Sequence, residues 1–304
     1  MARIIFMGSP EYALPSLNAL VKHHQVLAVV TQPDKPVGRK RILTPSPVKK
    51  ETLNLGLKIF QPTKINDIYE ELKGLDSDFI VTAAFGQFLP ERILALPKFE
   101  ALNLHGSILP KYRGGAPIQR AIMNLEKETG VSLMRMVKKM DAGPVYGIKK
   151  TKVEHKTTGD LMLELGELSA ELLIKSLPLI EEGSLKPVPQ DENEATFATI
   201  IQREDEKMDL NQSAEKNEAL VRALSPSPLA YIETNHGLIK LTKVMHSDLQ
   251  GSPGEIMDLS KEGICVATHH QSLWLMEGIP AGKPTMNLAD FFRGHPDLSF
   301  KKTP

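Results

Sequence analysis

The sequence predicts an α/β fold: a doubly wound, mostly parallel sheet followed by a small β-barrel domain. Three observations carry this reading. Through the first 185 or so residues, short apolar runs alternate with helical patterns, the signature of strands joined by crossover helices. A proline-rich polar stretch, Lys186 to Glu194, then interrupts the pattern. Beyond it come short strand-like runs divided by turns, at the spacing of a small barrel.

Taken in order, Ile4 to Met7 reads as the first strand and Tyr12 to Val21 as a helix. Val26 to Thr31 is the next strand, Pro47 to Leu55 a helix and Lys58 to Phe60 a short strand. Phe79 to Ala84 and Leu102 to His105 follow as strands, and Pro117 to Leu125 as a helix. Val131 to Met136 alternates as a strand does, with a turn at Ala142-Gly143-Pro144. Asp160 to Glu182 is a long amphipathic helix. In the C-terminal third, Ser213 to Ala223 reads as a helix. Leu229 to Thr234, Leu238 to Val244, Gly254 to Leu259, Gly263 to Thr268 and Ser272 to Met276 read as strands. Asn287 to Arg293 closes the chain as a helix, with Asn287 its N-cap. Residues 1–188 are therefore expected as a catalytic domain, 189–205 as a linker and 206–304 as the barrel domain.

Composition narrows the function classes. The 304 residues are 41% hydrophobic and 24% charged, as in ordinary globular domains. No apolar run approaches the ~20 residues of a membrane span, and Met1 to Gly8 is too short for a signal peptide, so a cytoplasmic protein with no membrane role is expected. The single cysteine, Cys265, rules out an internal disulfide and any Cys-x-x-Cys metal site; no metal is expected. The first turn, Gly8-Ser9-Pro10-Glu11-Tyr12, lacks the later glycines of a dinucleotide fingerprint, and Pro10 removes a donor that a phosphate would need. Net charge is zero, yet Lys35, Arg39, Lys40, Arg41, Lys49 and Lys50 form a run without an acidic residue. A second basic stretch runs from Lys138 to Lys152. Either could face an anionic partner or be a solvated loop.

The chemistry concentrates at Asn103-Leu104-His105. Residues two apart in a strand share a face, so a carboxamide donor and a proton-accepting ring converge on one small group. Parallel sheets bind ligands beyond the carboxyl ends of their strands, and this pair lies at such an end. An amide donor beside an imidazole suits acyl transfer, where charge builds on oxygen while an attacking amine loses a proton.

The longer string Asn103-Leu104-His105-Gly106-Ser107-Ile108-Leu109-Pro110-Lys111-Tyr112-Arg113-Gly114 resembles the signature of enzymes that use 10-formyltetrahydrofolate as a one-carbon donor. The resemblance implies that Asn103 and His105 act on the formyl carbon. It also implies that Asp141, in the Asp-Ala-Gly turn, sits against His105 and fixes its tautomer. Folate would contact Phe85, Gly86, Gln87, Phe88 and Leu89 together with Ser107, Ile108, Leu109 and Pro110. Ile108 stands where leucine is usual, a volume-conserving exchange. The stretches Thr31 to Lys49, Phe60-Gln61-Pro62, Ala116 to Ile122 and Pro280 to Met286 extend the resemblance to the branch of the family that formylates methionyl initiator tRNA. That implies a Rossmann-like domain, an OB-like C-terminal domain that binds tRNA, and a monomer. It also implies a basic loop whose Lys35, Arg39, Lys40 and Arg41 contact phosphates. Two departures stand out: residues 206–304 hold ten Lys and Arg against twelve Asp and Glu, and Pro226-Ser227-Pro228 lacks the tryptophan often found there. The alternatives are a formyltransferase acting on a small amine such as an amino-sugar nucleotide, a formyl-folate hydrolase, and a non-catalytic RNA-binding protein.

Overall fold

The computed structural model describes residues 1–38 and 41–301. The chain forms two compact units. The first comprises residues 1–117, 128–152 and 162–198, the second 118–127, 153–161 and 199–304.

The first unit is built on a seven-stranded sheet. Its chain order begins β1 (Arg3–Gly8), α1 (Leu14–His23), β2 (Gln25–Val30), β3 (Lys35–Val37), β4 (Ile42–Thr44), α2 (Pro47–Asn54) and β5 (Ile59–Phe60). It continues α3 (Tyr69–Lys73), β6 (Phe79–Ala83), α4 (Glu91–Leu94), β7 (Glu100–His105) and β8 (Arg113–Gly114). Then come α5 (Pro117–Met123), which apart from Pro117 belongs to the second unit, β9 (Glu128–Arg135), β10 (Val145–Lys152), α6 (Thr158–Glu181), whose first four residues belong to the second unit, and β11 (Phe197–Ala198). The sheet order is β10-β9-β7-β6-β1-β2-β5. β7, β6, β1, β2 and β5 run parallel, while β9 and β10 are antiparallel additions at one side. The central strands are buried on both faces, which is why β1 and β6 read as continuous apolar runs. Ile5, Met7, Val30, Ile80, Phe85, Leu89 and Ile93 belong to one core cluster of this unit.

The expected elements of this half all occur, joined by β3, β4, α3, α4, β8, β10 and β11, which the sequence did not announce. The basic loop after β2 carries a two-stranded ribbon, with β3 antiparallel to β4 and Pro36 opposite Leu43. Its start is tied down, because Lys49 Nζ donates to both carboxylate oxygens of Asp34 at 2.9 and 2.8 Å and Gln61 Nε2 donates to Asp34 at 2.9 Å. Those bonds hold the Asp34 carboxyl below its usual range. Lys49 is thus already paired within the chain. The second basic stretch, Lys138 to Lys152, contains the edge strand β10. Lys149 is paired with Glu171 of α6, Lys139 with Glu192, and Lys150 lies 3.9 Å from Glu128. Lysines on an edge strand discourage pairing with a second sheet, and these satisfy local carboxylates.

The second unit continues with α7 (Ala214–Ala223), β12 (Tyr231–Thr234), β13 (Gly237–Ser247), β14 (Ile256–Leu259), β15 (Ile264–Ala267), β16 (Ser272–Pro280), β17 (Met286–Asn287) and α8 (Leu288–Arg293). The five expected strands pair antiparallel in the order β12-β13-β16-β15-β14, and β17 adds to β16. Among the described residues no ladder joins β14 to β12. Leu224, Ile232, Leu241, Val266, Leu273, Leu275, Leu288 and Phe291 are part of its core. Both helices are capped as their sequences imply: Ser213 Oγ accepts from Lys216 N, and Asn287 Oδ1 from Ala289 N.

Among the described residues, no helix is long and apolar enough to cross a membrane, and no group of three or more His, Cys, Asp or Glu is placed to hold a metal ion.

Candidate active site

β7 lies where the sheet changes direction: it pairs parallel with β6 and antiparallel with β9. Leu102 and Leu104 are buried in the core, at 0% and 1% exposure. Alternation then puts Asn103 and His105 together on the other face. The strand's position is reinforced from behind by the buried Tyr12, whose hydroxyl donates to the Leu104 carbonyl at 3.1 Å and lies 2.9 Å from Ser169 Oγ. Burial raises the Tyr12 pKa, so it stays a neutral donor.

Asp141 meets this pair from the turn between β9 and β10. Its Oδ2 lies 3.6 Å from His105 Nδ1, and Asn103 Nδ2 donates to its Oδ1 at 3.5 Å. The Gly114 amide donates to Oδ2 at 2.9 Å. Asp141 has φ +50°, a left-handed conformation that aspartate tolerates better than most residues. The turn needs Gly143, since a Cβ there would lie 1.8 Å from the Arg135 carbonyl oxygen. Gly114 is similarly required: its φ is +122°, and a Cβ would come within 2.6 Å of the Ala198 carbonyl oxygen. The three residues singled out in the sequence are thus brought together, with His105 only 6% exposed.

The far side of the imidazole is also fixed. His105 Nε2 is 2.8 Å from the Tyr112 carbonyl oxygen. A carbonyl only accepts, so Nε2 carries a proton and Nδ1 is the ring atom left facing Asp141.

The loop after β7 is held from within. Ser107 Oγ donates to the Lys111 carbonyl at 2.6 Å, and Ser132 Oγ donates to the Ser107 carbonyl while accepting from Leu109 N. The Ser107 hydroxyl is therefore spent on the chain. Ser107 and Leu109 are buried, which leaves Ile108 and Pro110 partly exposed. The segment after β6 is built similarly. Gln32 Nε2 donates to the Phe85 carbonyl at 3.0 Å. Gln87 accepts from Ile65 N and donates to the Pro62 carbonyl, so both ends of its amide are occupied. Phe85 and Leu89 are buried, Gly86 is exposed, and the Phe88 ring stands out at 57% exposure. Gln87 and Phe88 line a cavity of about 360 Å³ with Lys64, Asn66 and Pro90. Asn103, His105, Asp141 and the Ser107 to Pro110 loop do not line it.

Of the expected phosphate contacts, Lys35 and Arg41 are exposed on the β3–β4 ribbon. Arg39 and Lys40 lie outside the described residues.

Three contributors escaped the sequence reading. Gln190, in the segment expected as linker, donates from one Nε2 to the carbonyls of both Asp141 and Gly143, at 2.8 and 2.6 Å. Its Oε1 accepts from Nε and Nη2 of Arg113 at 3.0 and 2.9 Å. Arg113 is only 1% exposed, and its charge is met by Glu192 at 2.9 Å. Arg113 and Lys139 together hold the Glu192 carboxyl down at about 2. The third is Thr82 of β6, whose hydroxyl donates to Asn103 Oδ1 at 2.7 Å. Thr82 left one trace in the sequence, as the only hydroxyl in the apolar run Phe79 to Ala83.

Comparison with known proteins bears on this arrangement. Residues 2–177 match the family model described as formyl transferase, and residues 200–296 that described as formyl transferase, C-terminal domain. The chain is 44% identical over 299 residues to a methionyl-tRNA formyltransferase of Staphylococcus epidermidis, covering 97% of this chain and 96% of that protein. It is 44% identical over 300 residues to one of Staphylococcus aureus, with the same coverage. Among solved structures, HypX from Aquifex aeolicus in complex with tetrahydrofolic acid superposes with a TM-score of 0.67 at 19% identity, over 96% of this chain and 47% of that one. An N-formyltransferase from Helicobacter canadensis in complex with folinic acid and dTDP-3-aminofucose gives 0.68 at 18% identity, over 91% and 99%. At such identities these two structures speak to the fold alone.

Proposed function

The chain belongs to the formyl transferase family, and from that footing we propose that it transfers the formyl group of 10-formyltetrahydrofolate to the α-amine of methionyl initiator tRNA, for translation initiation. The observation that carries the reading is the convergence of Asn103, His105 and Asp141, in a chain 44% identical, nearly end to end, to methionyl-tRNA formyltransferases.

Asn103, His105 and Asp141 are the proposed catalytic groups. The folate co-substrate supplies an activated formyl carbon. Asn103 Nδ2 and a protonated His105 Nδ1 are the donors available to the formyl oxygen as it gains charge. Asp141 balances the imidazolium and takes the proton that leaves the attacking amine, directly or through water; as the bond between the formyl carbon and N10 breaks, that proton is returned to N10, so the products are formyl-methionyl tRNA and tetrahydrofolate. Gly114 N, by donating to Asp141 Oδ2, keeps the carboxylate aimed at the ring. The folate ring is assigned to Phe85, Gly86, Gln87, Phe88 and Leu89 with Ile108, Leu109 and Pro110. Contacts at Gln87 fall to its main chain, since its side chain is engaged elsewhere. Ser107 supports its loop from inside.

Lys35, Arg39, Lys40 and Arg41 are assigned to tRNA phosphates, with the domain of residues 206–304 as a second tRNA-binding surface. All three catalytic groups come from one chain, so a monomer is sufficient, and the substrate places the enzyme in the cytoplasm. The test is direct. With 10-formyltetrahydrofolate as donor, the chain is offered methionyl initiator tRNA or a dTDP-amino sugar. Formylation of the tRNA alone supports the reading; formylation of the sugar alone, or of neither, removes it.

A further inference from the structure

Asn103 can help the reaction only if its amide presents nitrogen, not oxygen, to the reacting group. A carboxamide turned by 180° has almost the same shape but the opposite polarity. Something must choose between the two. Two neighbours touch the amide, one at each end: Asp141 Oδ1 at 3.5 Å from Nδ2, and Thr82 Oγ1 at 2.7 Å from Oδ1.

Thr82 sits directly opposite Asn103 in the parallel register of β6 and β7, on the same face. It is 3% exposed. Its hydroxyl has one proton and three acceptors nearby: Asn103 Oδ1 at 2.7 Å, the Leu102 carbonyl at 3.2 Å and Met136 Sδ at 3.4 Å. The amide oxygen is the closest. Were the amide reversed, its oxygen would face the Asp141 carboxylate with no proton between them, while its NH₂ would donate to Thr82 Oγ1 and the threonine proton would pass to the Leu102 carbonyl. Asp141 therefore sets the polarity of the amide, and the 2.7 Å bond from Thr82 holds it in place.

The strand itself gives no reason for a hydroxyl here. Phe79, Ile80, Val81 and Ala83 are all buried and apolar. Valine has the same shape as threonine, suits a central parallel strand as well, and carries no hydroxyl to desolvate. We infer that Thr82 is a positioning residue for formyl transfer: its hydroxyl holds Asn103 Oδ1, so that Asn103 Nδ2 stays turned toward Asp141 and the formyl oxygen. The inference rests on the proposed transfer reaction.

The test is single-turnover formylation of methionyl initiator tRNA at saturating 10-formyltetrahydrofolate. Thr82→Val should lower the chemical rate about tenfold, the value of one net hydrogen bond. Its melting temperature should match or exceed that of the wild type, and its dissociation constants for folate and tRNA should stay within about twofold. Thr82→Ser should recover most of the rate. In an Asn103→Ala background, Thr82→Val should change nothing further, because the group it orients is gone. Thr82→Ala, which removes the hydroxyl without adding bulk, should follow Thr82→Val. Wild-type rates in both variants, or an undiminished loss in the Asn103→Ala background, overturn the inference while leaving the transfer reaction standing. A wild-type chain that formylates no tRNA overturns the reaction itself, and this inference with it.

Discussion

His105 Nε2 lies 2.8 Å from the main-chain oxygen of Tyr112, and this contact decides which ring atom serves the reaction. Because the carbonyl can only accept, one proton is committed to Nε2. A second proton arriving on the ring goes to Nδ1, 3.6 Å from Asp141 Oδ2. The bond from Nε2 to the Tyr112 carbonyl does not involve Nδ1, so it fixes the ring's orientation independently of Asp141.

Removing the ring should therefore act on chemistry more than on binding. In His105→Ala, loss of one donor to the developing oxyanion should slow single-turnover formylation by roughly a hundredfold or more. tRNA affinity should be nearly unchanged, because the basic ribbon is untouched. Rapid-quench kinetics beside equilibrium binding would check both halves. A rate within a few-fold of wild type would be incompatible with the assigned role.

Gln190 offers a second test. Its one amide nitrogen serves the carbonyls of Asp141 and Gly143, and its oxygen serves the buried Arg113. Gln190→Ala should free the turn, lower kcat, and destabilise the fold by about 1–3 kcal/mol through the unsatisfied guanidinium. Gln190→Glu keeps an acceptor for Arg113 but has no donor for the two carbonyls. It should therefore regain much of the stability and little of the kcat. Thermal melts and steady-state kinetics on the pair would show the split; recovery of full activity by the glutamate would refute it.

These residues mark the boundary of what the sequence discloses. Asn103 and His105 were legible because strand alternation is local, and a two-residue spacing fixes a shared face. The turn at Asp141 was legible from Ala142-Gly143-Pro144, although its approach to His105 came only from family resemblance. Gln190 gave no local signal. It sits in a proline-rich polar stretch of the kind that commonly tethers domains, and its partner is 49 positions away. The lysines of β10 were ambiguous for a related reason: their carboxylates, Glu171 and Glu128, come from α6 and β9, and composition alone does not pair them.

Acid titration should expose the Arg113–Glu192–Lys139 group. Hydrogen bonds from Arg113, then Lys139, hold the Glu192 carboxyl at about 2 against an ordinary 4.5. A depressed carboxyl stabilises the fold above its unfolded value, and that contribution is lost as pH falls from 4.5 toward 2. NMR titration of the Glu192 side-chain carbon should accordingly show a midpoint well below those of unpaired glutamates. Lys139→Ala should raise the midpoint while leaving the Arg113 contact in place. A midpoint near 4.5 in the wild type would mean that the pairing seen here does not persist in solution.

The choice between tRNA and a small amine turns on the β3–β4 ribbon. Lys35 and Arg41 stand exposed on it, while Lys49 at its base is already matched by Asp34. An amino-sugar nucleotide brings a single diphosphate, whereas an acceptor stem offers exposed cations a row of phosphates. Replacing Lys35 and Arg41 together by Ala should weaken tRNA binding. It should also lower the slope of log K against log salt by up to about 1.4–1.8, since each phosphate contact contributes ~0.7–0.9. Folate binding should not change, because the segments assigned to it, 85–89 and 107–110, do not include the ribbon. Fluorescence titrations over a range of salt concentrations would measure affinity and slope together. If both stay at wild-type values, the ribbon is not a phosphate contact, and the strongest structural argument for a tRNA substrate is lost.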